Sequence, residues 1–489
     1  MWTILTCFFI IICLGVAGLC SESKIVTIDQ GRLRGFRYSD GNYFAFMSVP
    51  YATAPPGKSR FKVSIKSSIS APLPPPVWMQ IFDAYETGKV CPQPYNLPKI
   101  HEDCLVANIF VPDTNATNLP VMIHVHGGAF VVTSGDYFRY TELIDSKKTI
   151  VVTFNYRLGV HGFLCLGTKD IPGNAGMKDQ IALLRWVQRN IASFNGNPND
   201  VTLVGCSAGG SAVDLLSLSP MARGLFHKAI VEGGSCLGTN GVQVDPIKNA
   251  KTYAKLLNFT DVDNITALEE FYKTASFELL TSKTDEIIYR TDCTTLLSPC
   301  VERNLGTGEE MFLSESPLDT LKNGKYTRRP ILYGFSEVEG LDSILLFEEF
   351  HTKMNENFAD FLPGDLQFNR EEEKQEVAET VKQFYFGNKP ISKETIINYT
   401  NYFSDVLFTC PMLRSLDMRL RAGNATVFLF EYSFVDEYTE NIPFTNVRKA
   451  GHCSHMDAIM DHAYTNKTKK WQAMQRTLRE IWLNFITTG

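Results

Sequence analysis

The chain has 489 residues, a formal net charge of −6 and 44% hydrophobic residues. That is long enough to bury a large core. The mildly acidic balance removes any electrostatic ground for a nucleic acid or an anionic membrane surface as a partner.

Trp2 to Leu19 is apolar and ends in small residues near Ala17-Gly18-Leu19-Cys20, so residues 1–20 read as a signal peptide although they lack a basic n-region. Leu19 is too bulky for bacterial lipid attachment at Cys20. No later stretch is long and apolar enough to span a bilayer. Strand and turn signals follow to about Val111, with Pro72-Leu73-Pro74-Pro75-Pro76 as a rigid surface connector. Pro120 to Val125 reads as a buried strand running into His126-Gly127-Gly128-Ala129-Phe130. Strands and helices then alternate through Ser235. Among them Val201-Thr202-Leu203-Val204 has the β-branched, apolar character of a buried parallel strand, and Ser211 to Leu218 that of a helix. Asp245 to about Asp319 is a polar, more helical insertion, and strand signals return at Pro330 to Tyr333 and Thr426 to Phe434. Arg370-Glu371-Glu372-Glu373-Lys374 reads as a solvated helix face, Trp471 to Phe485 as a late helix, and no internal repeat is present.

Between that strand and that helix lies Gly205-Cys206-Ser207-Ala208-Gly209. A G-x-S-x-G sequence in this context predicts a nucleophile elbow, where a strained serine brings neighbouring backbones so close that only small residues fit around it. The glycines after the earlier strand have a matching use. Backbone N–H groups can reach the negative oxygen of a tetrahedral intermediate only where side chains leave room.

The residues resemble a type-B carboxylesterase of the cholinesterase-like family. The resemblance runs through Gly31-Arg32-Leu33-Arg34-Gly35, Val49-Pro50-Tyr51-Ala52, Glu102-Asp103-Cys104-Leu105, Asn155-Tyr156-Arg157-Leu158-Gly159 and Trp482-Leu483-Asn484-Phe485. Its most specific block is Pro172-Gly173-Asn174-Ala175-Gly176-Met177-Lys178-Asp179-Gln180. It implies an α/β-hydrolase fold with a large, mostly parallel central sheet and helices on both faces, running as one domain over residues 21–489. It also implies Ser207 as nucleophile and the N–H groups of Gly128, Ala129 and Ala208 as oxyanion donors. The acid is placed directly before a glycine, which selects Glu339 over Glu337 in Gly334-Phe335-Ser336-Glu337-Val338-Glu339-Gly340. Gly451-His452-Cys453-Ser454-His455-Met456-Asp457-Ala458-Ile459 offers two bases, and the downstream register with Asp457 and Ile459 favours His455 over His452, while His462 reads as a surface or packing residue. The imidazole would take the serine proton and the carboxylate would hold the imidazolium. That chemistry calls for no metal and no cofactor.

Two departures from the family stand near the elbow. Cys206 replaces a common glutamate, and Gly233 in Glu232-Gly233-Gly234-Ser235 replaces a serine whose hydroxyl commonly supports the acid. Of twelve cysteines, Cys91 and Cys104 resemble the family's first disulfide. Cys293 and Cys300 are spaced to close a short loop, and Cys206 reads as buried and unpaired. Sequons at Asn115, Asn258, Asn264, Asn398, Asn424 and Asn466 fit passage through the secretory pathway and extracellular release. The chain stops at Gly489, where most relatives continue for several tens of residues, and Cys410 resembles a cysteine whose partner lies in that segment. A natural short form, an incomplete gene reading and a fragment all fit.

The expectation is hydrolysis of small-molecule carboxylic esters through an acyl-enzyme. The alternative is a catalytically weak or silent interaction protein of the same fold. Choline-ester specificity stands third, because the segment from Cys91 to Cys104 has no tryptophan to face a cation.

Overall fold

The computed structural model describes residues 22–489 except 56, 62–71, 95, 96, 98, 289, 424, 425 and 462–467, so the signal peptide, His462 and the sequons at Asn424 and Asn466 lie outside the described residues. The strands are β1 (Ser23–Ile28), β2 (Gly31–Arg37), β3 (Tyr43–Pro50), β4 (Phe82–Asp83), β5 (Val106–Pro112) and β6 (Leu119–Val125). They continue with β7 (Ile150–Phe154), β8 (Gly196–Cys206), β9 (Lys228–Glu232), β10 (Ile331–Ser336) and β11 (Val427–Tyr432). One mixed sheet holds them in the order β1-β2-β3-β5-β7-β6-β8-β9-β10-β11, with β4 beside β2. The first half pairs antiparallel apart from β4, which runs parallel to β2, and from β7 to β11 every neighbour is parallel.

The inner parallel strands are buried on both faces, unlike the edge strand β11, which is why β7, β8 and β9 read as continuous apolar runs instead of alternating ones. Helices cover it, among them α1 (Ala175–Asn190) and α2 (Ala208–Leu218). Near the C-terminus lie α3 (Ser454–Ile459) and α4 (Lys469–Thr488). No helix among the described residues is long and apolar enough to cross a membrane.

Buried charge holds the segment at residues 155–159 against the block at residues 172–180. Arg157 grips Asp179 of α1 through Nε and Nη2, at 2.7 and 2.6 Å, and Lys178 meets Glu302 at 3.0 Å. Buried ions need partners this close, and losing one member would strand the other. Asn174 completes the arrangement by bonding both the N–H and the carbonyl of Cys300 at 2.8 Å.

Register lines up the strand ends that matter. Val125 of β6 sits opposite Gly205 of β8, Cys206 opposite Glu232 of β9, and Glu232 opposite Gly334 of β10. The loops leaving the carboxyl ends of these four strands therefore meet at one place, the usual site position in an open parallel sheet.

Candidate active site

β8 ends at Cys206 and α2 begins at Ala208, leaving Ser207 alone in the turn with φ 61° and ψ −131°. A non-glycine residue there carries strain of order 1–3 kcal/mol. Its surroundings hold it there. The Ser207 N–H donates to the Glu232 carbonyl at 2.9 Å, and the Ser211 N–H donates to the Ser207 carbonyl at 2.9 Å. A Cβ on Gly205 would lie 2.4 Å from the Gly209 carbonyl, and one on Gly209 would lie 2.2 Å from the Val125 carbonyl oxygen. The serine side chain does not cap α2, so its hydroxyl is not spent on the helix.

Gly128, Ala129 and Phe130 form a turn of three successive positive φ values, 95°, 52° and 63°. Among the described residues nothing accepts a hydrogen bond from the N–H of Gly128, Ala129 or Ala208. The Ala208 N–H also belongs to the open first turn of α2, where backbone donors and the helix dipole favour an anion. His126, just upstream, is stacked on Tyr156 with centroids 4.3 Å apart, and burial pulls its pKa down to about 4. The neutral ring is thus a fixed wall beneath this turn.

Glu339 is buried behind the elbow. One carboxylate oxygen accepts the Ser336 N–H at 2.6 Å, and the other meets Nδ1 of His452. A Cβ on Gly233 would stand 3.2 Å from that second oxygen and 3.2 Å from Cε1 of His452, so residue 233 lies against the Glu339 carboxylate. Glu337 points elsewhere and pairs with Lys449.

The expectation of His455 facing the acid is corrected here. The Val338 N–H donates to the Ala450 carbonyl, and Val338 bridges Gly451 in parallel, so the residue after each, Glu339 and His452, come face to face. Cys453 then turns left-handed, φ 54°, and α3 carries His455 away to the far side. There His455 is fully buried with Nε2 2.9 Å from Glu232 Oε2. Burial opposes a charge on His452, but the Glu339 carboxylate outweighs it and raises the pKa.

Ser207 and His452, with Ala129 and Asp342, line two cavities at once. The inner one, about 230 Å³, is walled by Phe350, Phe403, Leu407 and Phe408. The outer one, about 830 Å³, is open and includes Tyr137, Phe138 and Met460. Among the described residues no hydrogen bond joins Ser207 Oγ to the His452 ring, and such contacts commonly tighten only when substrate is bound.

Comparison with known proteins places this geometry. Residues 22–489 match the carboxylesterase family. The chain belongs to that family. This carboxylesterase is 32% identical to the juvenile hormone esterase of Heliothis virescens over 498 residues, covering 95% of this chain and 85% of the relative. It is 29% identical to esterase E4 of Myzus persicae over 497 residues, covering 96% and 87%. Its structure superposes on that of Manduca sexta juvenile hormone esterase, which has OTFP covalently attached, with TM-score 0.82, 30% identity and coverage of 96% and 90%. It is a carboxylic ester hydrolase with the α/β-hydrolase fold.

The cysteines of the carboxylesterase depart from expectation twice. Cys91 and Cys104 form a disulfide. Cys300, however, pairs with Cys165 and not with Cys293, because Asn174 fixes Cys300 over the start of α1 while Cys293 packs, unpaired, into the aromatic cluster of Phe350 and Tyr399. Cys206 is not free either: it is bonded to Cys453, 247 residues on. That bond ties the residue before Ser207 to the residue after His452. No local spacing signals it. Cys410 is an exposed free thiol.

Removing this strap with Cys206→Ala and Cys453→Ala together is expected to lower stability by about 2–4 kcal/mol. With His452 less fixed against Ser207, kcat should fall at least about tenfold while KM changes little. Urea midpoints and steady-state kinetics check both parts; an unchanged kcat would show that packing alone positions His452.

Proposed function

We propose that this carboxylesterase cleaves small-molecule carboxylic esters through a covalent acyl-enzyme, with Ser207 as nucleophile, His452 as base and Glu339 as acid. The observation that carries the reading is the Glu339–His452 pair set beside a strained Ser207 at the junction of two cavities.

Neutral His452 takes the Ser207 proton at Nε2 while Oγ bonds to the ester carbonyl carbon, and Glu339 stabilises the imidazolium through Nδ1–H. The carbonyl oxygen becomes an oxyanion facing the N–H groups of Gly128, Ala129 and Ala208, donors that are worth about 3–4 kcal/mol each in comparable sites. Collapse breaks the ester C–O bond, and His452 protonates the departing alcohol oxygen. Water then attacks the acyl carbon by the same route in reverse and releases the acid. The apolar inner cavity suits a hydrocarbon group on one side of the scissile bond, and the open outer cavity suits the other. Among the described residues no tryptophan lines either cavity, which argues against a site for a choline ester. Three disulfides and the exposure of Asn115, Asn258, Asn264 and Asn398 support maturation in the secretory pathway, with glycans at these positions, and release from the cell.

A labelled fluorophosphonate tests the assignment without knowledge of the natural ester. The label is expected on Ser207 by peptide mapping, at a rate that collapses in His452→Gln. A folded protein that resists the probe would support instead the catalytically weak or silent interaction protein, and a label carried elsewhere would overturn Ser207 as the nucleophile.

A further inference from the structure

Behind the triad lies a second histidine–glutamate pair that no step above uses. His455 and Glu232 are both fully buried, with Nε2 and Oε2 2.9 Å apart in a close ion pair. Each end reaches the catalytic groups. The Glu232 backbone carbonyl accepts the Ser207 N–H, and its other carboxylate oxygen accepts Trp482 Nε1–H of α4 at 3.1 Å. On the other side, Nδ1 of His455 lies 3.4 Å from Ser336 Oγ, and the Ser336 N–H donates to the oxygen of Glu339 that does not face His452. An unbroken chain of polar contacts thus runs from Trp482 through Glu232, His455 and Ser336 to Glu339 and His452.

Resting on the triad reading above, we propose that His455 is a positioning residue that, held by Glu232, keeps a buried positive charge behind the triad and biases His452 toward the neutral form in which it serves as base. The charges around both rings support this. His455 faces Glu232 from β9, Ser336 and Glu339 from β10 and its loop, Phe430 and Tyr432 from β11, and Asp457 from its own helix. Burial opposes its charge, and the carboxylates of Glu232, Glu339 and Asp457 outweigh it. His452 faces Glu339 and Asp342, which favour its protonation, and Phe408, Cys453 and His455; of these charges His455 alone opposes it. The charges that act on His452 are those of Glu339, Asp342 and His455, and His455 is the positive one among them.

The sign of the test follows. In Glu232→Gln the buried His455 loses the partner that keeps it charged and becomes neutral, and Glu232→Gln with His455→Gln removes both charges while keeping polar side chains of similar shape. In both, protonation of His452 becomes easier. The acidic limb of kcat/KM for a short p-nitrophenyl ester, and of fluorophosphonate labelling, is expected to move to higher pH by on the order of half a unit. KM at high pH should stay within about twofold. A purely structural role would lower the yield or the melting temperature without moving the limb. Independently of any variant, NMR of 13C-histidine-labelled wild-type enzyme should show the His455 ring protonated at pH 7, titrating above His452. A neutral His455 at pH 7, or a folded variant whose limb stays in place or moves to lower pH, would overturn the proposal. Failure of the triad reading looks different: the wild-type enzyme would then not be labelled at Ser207, whatever the charge of His455.

Discussion

Ser207→Ala is expected to lower kcat by on the order of 10⁵–10⁶, and His452→Ala by a similar factor, with the double variant no slower than either single one. The reason for this non-additivity is that nucleophile and base act as one device: an alanine at 207 leaves nothing for the imidazole to deprotonate, and an alanine at 452 leaves a hydroxyl too weakly acidic to attack at neutral pH. What remains is the contribution of the oxyanion turn and of substrate binding. His455→Ala should fail differently. It strands the buried Glu232 carboxylate without its partner, a loss of about 3–5 kcal/mol, so low yield or a lowered urea midpoint should come before any specific loss of turnover. Steady-state kinetics beside urea titrations separate the two histidines. A crippled, stable His455→Ala together with an active His452→Ala would reverse the assignment of the base.

Gly209→Ala is expected to destabilise the enzyme by about 3 kcal/mol or more, although the change adds only a methyl group. That methyl would sit 2.2 Å from the Val125 carbonyl oxygen and 3.0 Å from the His126 carbonyl, both backbone atoms at the end of β6 that cannot swing aside. Relief requires α2 to move away from β6, which overpacking penalties place at 1–3 kcal/mol and above where backbone has to shift. The same movement separates the Ala208 N–H from those of Gly128 and Ala129. Any folded fraction should therefore show a kcat reduced by about 10² with little change in KM, since misplacing an oxyanion donor acts on the transition state. A variant with near-normal stability and turnover would mean that the elbow and the oxyanion turn are not packed as closely as described.

The parts of the site that were legible in the sequence are those written in contiguous residues. Val201 to Val204 reads as a buried strand because β8 is covered on both faces, and the small residues around Ser207 announce the close approaches that Gly205 and Gly209 make. The turn after β6 is legible for the same reason: His126 to Phe130 must bend sharply with donors exposed, and its glycines show it. Glu339 is set apart from Glu337 in the sequence only by the resemblance, which places the acid directly before a glycine; that glycine, Gly340, packs so closely that a Cβ would lie 2.3 Å from the Ser404 nitrogen.

What the folded chain alone decided is which distant residues meet. Two histidines stand three residues apart, His452 just before α3 and His455 in its first turn, and the downstream register with Asp457 and Ile459 favours His455. The choice between them was made by the bridge from Val338 to Gly451, which sets His452 opposite Glu339, and by the left-handed turn at Cys453, which sends His455 to Glu232 instead. The bond from Cys206 to Cys453 and that from Cys165 to Cys300 span 247 and 135 residues and follow from the same packing. Periodicity and turn chemistry act over a few residues and are written locally. Pairing across hundreds of residues depends on strand register and on the burial of charges, and these exist only once the sheet has assembled.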